Sequence, residues 1–95
     1  MTSLEQDLQK KIINFLKSLD WYVVKVISAN HAGVPDLICC APTGLFVGIE
    51  VKRKGNNTTK LQDYNLEEIG RKGGVSFSCK SMEELKAQLV KNYLL

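Results

Sequence analysis

Gly33-Val34-Pro35-Asp36-Leu37, followed by Gly48-Ile49-Glu50-Val51-Lys52, is the stretch from which the fold can be read. Asp36 to Cys40 is a short apolar run, Pro42-Thr43-Gly44 is a turn, and Leu45 to Lys52 resumes β character, so the two arms read as a hairpin. Side chains alternate along a strand, which puts Leu45, Val47, Ile49 and Val51 on one face and Phe46, Gly48, Glu50 and Lys52 on the other. Asp36 begins one arm and Glu50, fourteen positions on, lies near the far end of the other. Antiparallel pairing across the turn therefore brings two carboxylates together, with Lys52 beside them.

On the N-terminal side, Leu4, Leu8, Ile12, Phe15, Leu16 and Leu19 recur at the three- and four-residue steps of an amphipathic helix from Ser3 to Leu19, and Ser3 with Gln6 makes a capping box. Trp21 to Ile27 is aromatic and β-branched and predicts a strand, with Ser28 to Gly33 a loop. On the C-terminal side, Arg53-Lys54-Gly55-Asn56-Asn57 is a basic, turn-rich loop, and Thr58 or Thr59 caps a helix that runs to about Lys72 and is broken by Gly73-Gly74. Val75 to Cys79 reads as a strand. Ser81-Met82-Glu83-Glu84 reads as a capping box opening a last helix with Leu85, Leu89 and Tyr93 on one side. Helix, three strands, helix, strand, helix predicts an α/β (mixed α+β) domain with a four-stranded mixed sheet flanked by helices.

The chain of 95 residues has room for a single domain spanning residues 1–95, and 44% hydrophobic with 24% charged residues is an ordinary globular balance. So small a domain has little stability to spare, which favours a partner subunit. A net charge of +3 permits nucleic-acid binding without requiring it. Cys39, Cys40 and Cys79 lack the spacing of zinc or redox sites and read as reduced apolar residues. No apolar run approaches the length of a membrane span and the opening Met-Thr-Ser-Leu-Glu-Gln has no leader pattern, so the expectation is a soluble, cytoplasmic protein. No sequence-reading helix, zinc finger or P-loop is present, which argues against base-specific readout and a nucleotide cofactor.

Two close carboxylates repel unless a cation lies between them, and such oxygen ligands suit Mg²⁺ or Mn²⁺, which bind through one or two carboxylates, waters and phosphate oxygens. Lys52 can then stabilise or help deprotonate the water that attacks a phosphodiester. Taken singly, these residues also read as a turn aspartate after Pro35 and a surface Glu50–Lys52 ion pair on a solvated sheet face. Parity, hairpin and ligand type together favour chemistry.

The three segments Gly33-Val34-Pro35-Asp36-Leu37, Gly48-Ile49-Glu50-Val51-Lys52 and Lys60-Leu61-Gln62 resemble the PD-(D/E)XK nuclease superfamily, within it the VRR-NUC type, and are similar to the archaeal-type Holliday junction resolvases. The resemblance implies a restriction-endonuclease-like core of one helix, three strands, a helix and a strand, and a metal-dependent DNA endonuclease. By that resemblance Asp36 and Glu50 bind the metal, the Val51 carbonyl adds a ligand, Lys52 is the catalytic lysine and Gln62 faces the same site. It also implies a first-helix glutamate approaching the metal, the place held here by Glu5, which lies about 40° from the centre of the apolar stripe. A glutamate in the first helical turn is equally favoured by the helix dipole.

Lys25, Arg53, Lys54 and Lys60, with Asn56 and Asn57, form the candidate phosphate-binding patch, solubility being the plainer explanation. Ser28 and Asn30 can donate to a nucleic-acid backbone, and His31 either meets phosphate or is simply an exposed loop histidine. Lys10, Lys11 and Lys17 read as a solvated helix face. Trp21, Tyr22 and Phe77 read as core. The resulting expectation is a structure-selective endonuclease acting on branched or Holliday-junction DNA as a homodimer, with Leu89, Val90, Tyr93, Leu94 and Leu95 as one possible dimer surface. The competing classes are a non-catalytic DNA-binding module on the same fold and a nuclease active only within an assembly.

Overall fold

The structure, a computed structural model, describes residues 3–95; Met1 and Thr2, part of the opening stretch read above for a leader, lie outside them. Helix α1 (Leu4–Ser18) opens with the expected capping box, in which the Ser3 hydroxyl accepts the Gln6 N–H and the Gln6 side chain accepts the Ser3 N–H. Strands β1 (Tyr22–Lys25), β2 (Leu37–Cys40) and β3 (Phe46–Val51) follow, then α2 (Lys60–Arg71), β4 (Val75–Cys79) and α3 (Met82–Lys91). The element order is the one read from the sequence, and among the described residues no helix is long and apolar enough to cross a membrane.

The sheet order is β1-β2-β3-β4, antiparallel for the first two pairs and parallel for β3 with β4. Leu37, Cys39, Val47, Ile49, Val51, Phe77 and Cys79 form one core with Ile12 and Leu16 of α1 and Leu85 and Leu89 of α3, so those two helices cover one face. Helix α2 covers the other, and it comes close because β3 offers it glycine: a Cβ on Gly48 would stand 2.7 Å from Ile69 Cδ1. Ser76 of β4 ties its hydroxyl to the Leu66 carbonyl on the same side.

Several expectations need correction. The first strand is shorter than Trp21–Ile27, because β2, its only neighbour among the described residues, supplies four partners and one further bond from the Val26 N–H to the Asp36 carbonyl. Trp21 and Phe77 are buried as expected, but Tyr22 is 70% exposed, since it lies on the α2 side of the sheet and α2 packs on β3 and β4 without reaching β1. Of the two residues offered as the cap of α2, Thr58 and Thr59, it is Thr59 that serves, as the sequence allowed. At α3 the Ser81 hydroxyl accepts the Glu84 N–H, but the Glu84 carboxylate reaches past Ser81 to the Lys80 N–H, so the box is not reciprocal. Tyr93 lies beyond the helix it was expected to line. It takes a left-handed conformation (φ 59°) in the terminating turn, where the Tyr93 and Leu94 N–H groups return to the Val90 and Leu89 carbonyls, and it is 95% exposed.

Candidate active site

The β2–β3 register pairs Leu37 with Ile49, and one step further along the same ladder sets Asp36 opposite Glu50. Residues opposite each other on antiparallel strands share a face, here the one covered by α2. Asp36 is anchored from the strand itself, its Oδ2 accepting the Val51 N–H at 2.8 Å. The hairpin therefore does what its sequence promised. The alternative of a solvated ion pair does not hold, because α2 leaves Glu50 only 2% exposed.

Glu50 is engaged on one oxygen. Its Oε1 accepts from Gln62 Nε2 at 3.1 Å and stands 4.0 Å from Lys52 Nζ, the Lys52 side chain being 16% exposed. Gln62 is held in turn by its place in the first turn of α2, where its side-chain oxygen accepts the Thr59 N–H at 2.9 Å and its own N–H meets the Thr59 hydroxyl at 3.2 Å. This fixes which end of the amide faces Glu50. Burial, then the charge of Asp36 and a hydrogen bond shared with it, push the Glu50 carboxyl up to about 8, with Lys52 pulling the other way. That shared bond needs a proton between the two acids. With both ionised, Glu50 Oε2 is buried with no hydrogen-bond donor among the described residues.

A divalent cation fits this arrangement. The donors are hard oxygens, one of them orphaned in the absence of a proton, and two facing carboxylates gain most from a positive charge between them. Among the described residues no group of three or more His, Cys, Asp or Glu is gathered for a metal, so waters or substrate oxygens would complete the shell, as Mg²⁺ prefers. Glu5, on the first turn of α1, accepts the Arg53 N–H at 3.3 Å, one residue beyond Lys52, rather than closing on the pair as a third carboxylate. Val51 is engaged at the site through its N–H.

The remaining expected contacts surround this end of the sheet. Lys25 is paired with Leu37, the neighbour of Asp36, and Lys60 opens α2. Arg53, Lys54 and Asn56 are exposed on the loop leaving β3, whose turn is closed by the Asn56 N–H to the Arg53 carbonyl. Ser28 and His31 are exposed on the loop before β2, with His31 Nδ1 3.3 Å from the Ala32 carbonyl. That loop is seated by Gly33 (φ +85°), where a Cβ would come within 2.7 Å of both Asn65 Nδ2 and Leu61 Cγ of α2. Cys39 and Cys79 are free thiols pushed up to about 12 by burial, and are inert core residues.

The sequence reading missed two things. Gln9 is buried on α1 with no partner for its Oε1 among the described residues, and nothing in an amphipathic pattern marks a polar residue for burial. Lys80, just past β4, donates to Asn57 Oδ1 at 3.2 Å and joins the loop after β3 to the start of α3.

The fold has known counterparts. A solved structure described as "VRR_NUC domain" superposes with a TM-score of 0.83 over 97% of this chain and 99% of its own, at 24% identity. Another, described as "VRR_NUC domain protein", gives 0.77 over 99% and 90%, at 20% identity. No family model and no curated protein matches the sequence. The chain has the fold of these VRR_NUC domains.

Proposed function

We propose that this chain is a divalent-metal-dependent endodeoxyribonuclease that cuts branched DNA, Holliday junctions included, as a homodimer. The observation that carries the reading is the Asp36–Glu50 pair, with Glu50 buried and its Oε2 orphaned among the described residues and Lys52 Nζ 4.0 Å from Oε1, on a fold shared with VRR_NUC domains. Asp36, Glu50 and the Val51 carbonyl are the proposed ligands for Mg²⁺ or Mn²⁺, with Glu5 acting from the rim. Such a cation, when bound, supplies the positive charge that makes water more acidic and offsets the charge of the scissile phosphate.

The protein's own groups do the rest. The Val51 N–H holds Asp36 in place and Gln62 holds Glu50, so neither carboxylate has to reorganise when substrate arrives. Lys52 carries a charge that stabilises the negative phosphorane-like transition state, and in its neutral form it can take a proton from the attacking water. Lys25, Arg53, Lys54 and Lys60, with Ser28, His31 and Asn56, position the backbone. A four-way junction is cut on two strands, which calls for two copies of a single-site chain. Val90, Tyr93 and Leu95 are exposed at the C-terminal end and are the proposed dimer face. Three free thiols suit a reducing, cytoplasmic setting.

The test is cleavage of end-labelled four-way junction, flap and linear duplex DNA with Mg²⁺, Mn²⁺ or EDTA, comparing wild type with Asp36→Ala and Lys52→Ala. Cutting that needs metal and is lost in both variants supports the reading. Junction binding without cutting by wild type under every metal would replace it with the binding-module or assembly-dependent alternative.

A further inference from the structure

Between the N-terminal halves of α1 and α3 and the loop leaving β3 lies a groove of about 420 Å³, separate from the α2 face on which Glu50 sits. Its lining includes Lys11 from α1, Arg53 and Lys54 from the loop, and Lys80 and Ser81 from the start of α3. Asp7 is the only carboxylate among the lining residues, and it is already engaged in an interaction of its own. Four cations line it against Asp7, with the Glu5 and Glu84 carboxylates on the Arg53 and Lys80 N–H groups at its border, so the depression is net positive, although the four cations come from three segments far apart in sequence.

Its position gives it a direction. Strands β3 and β4 are parallel and end side by side, Val51 opposite Cys79, so the chain exits into Arg53 and Lys80 at the same edge of the sheet. Lys52 shares Glu50's face while Arg53, the next residue, begins the groove, so a polymer meeting Lys52 can pass round this edge onto Arg53. The Lys80–Asn57 hydrogen bond fixes the two exits to each other, and the Glu5–Arg53 contact fixes α1 to the same loop. A small anion would need one such cation. A row of them leading away from a phosphodiester site suits a polyanion with regularly spaced charges.

We propose that this groove seats the sugar–phosphate backbone of the DNA strand beyond the cleavage site, with Lys11 and Lys80 as phosphate contacts. The inference rests on the nuclease reading and extends it: it adds two residues to the interface and assigns the strand a route past α1 and α3.

The experiment is a salt titration of binding to labelled duplex and four-way junction DNA in EDTA, so that no cutting intervenes, for the full chain and for Lys11→Ala, Lys80→Ala and the double variant. Lys17→Ala, in the last turn of α1, is the control. On duplex DNA the slope of log K against log salt is expected to become shallower by about 0.9 for each lysine removed, with Lys17→Ala unchanged. Lys80→Ala also removes the contact to Asn57, so Lys80→Arg must restore the slope, and Lys11→Ala must show its own loss with an unchanged melting temperature. If wild type binds and the Lys11 and double variants keep its slope, the groove is not on the path while the nuclease reading stands. If wild type binds neither DNA at low salt, both fall together.

Discussion

Gln62 bridges the start of α2 to the acidic pair: its Nε2 donates to Glu50 Oε1 over 3.1 Å while its side-chain oxygen accepts the Thr59 N–H at 2.9 Å. One side chain thus caps the start of a helix and orients a carboxylate. The two roles can be separated by mutation.

Thr59→Ala removes the cap hydroxyl without touching Glu50, and is expected to cost about 1 kcal/mol of stability while leaving divalent-metal affinity close to wild type. Gln62→Ala loses the cap's return bond and also Glu50's donor, so both stability and metal affinity should fall. Urea denaturation and calorimetric metal titration read the two effects. Equal metal affinity in Gln62→Ala and Thr59→Ala would show that Gln62 serves the helix alone.

The Glu50 carboxyl is raised by burial and by Asp36 to about 8, so between the ordinary carboxylate range and that value the folded state holds a proton the unfolded chain has released. Stability without metal should therefore fall as pH rises across this window, by at most about 1.4 kcal/mol per pH unit. Glu50→Gln, which keeps an oxygen for Gln62, should melt above wild type at pH 8 and near it at pH 5. Added Mg²⁺ should raise the melting temperature of wild type at pH 8 and leave Glu50→Gln unmoved. A pH-independent difference between the two proteins would contradict this account.

Gly33 and Gly44 both have positive φ, +85° and +89°, but only Gly33 is crowded, by Asn65 and Leu61. Alanine at Gly44 is expected to cost about 1–2 kcal/mol from backbone conformation alone. Gly33→Ala should cost that and more, because Leu61 and Asn65 must move, and it should displace the loop that carries Ser28 and His31. Denaturant midpoints for the two variants give the difference directly, and equal midpoints would rule out the close approach.

Tyr93 occupies the left-handed position that ends α3, the place filled at the end of α2 by Gly73. Tyr93→Gly should therefore raise stability by about 1 kcal/mol in dilute solution, where dimer contacts do not contribute. A destabilised variant at low concentration would mean that the exposed ring contributes to the folded monomer.

The parts of the fold legible in the sequence are those set by neighbours along the chain. The hairpin and its side-chain parity are enough to place Asp36 against Glu50, Ser3–Gln6 marks a helix start by residue type and spacing alone, and the start of α2 is legible to within the choice of Thr58 or Thr59. What failed depends on which strand lies beside which. Val26 and Ile27 have strong β preference, but β2 offers them no continued ladder, and Tyr22 is exposed because α2 covers its side of the sheet only over β3 and β4. Lys11 and Lys80 look unrelated in the sequence, being on different elements, and line one groove because α1 packs beside α3, the helix that follows Lys80. Gln9 is polar by type and buried by position, a combination periodicity cannot announce.

The hairpin turn has a practical consequence. Pro42, Thr43 and Gly44 are exposed, a side chain at Gly44 would meet nothing within 4 Å, and the turn lies at the opposite end of the β2–β3 ladder from the two carboxylates. The ladder, not the length of the connection, holds Asp36 opposite Glu50. A foreign segment spliced in at Thr43–Gly44, such as a fluorescent reporter or a module that reads a chosen DNA sequence, would lengthen the interval between the acids on paper and leave their spacing in space unchanged. The same hairpin that builds the site thus offers a port through which the protein can be retargeted.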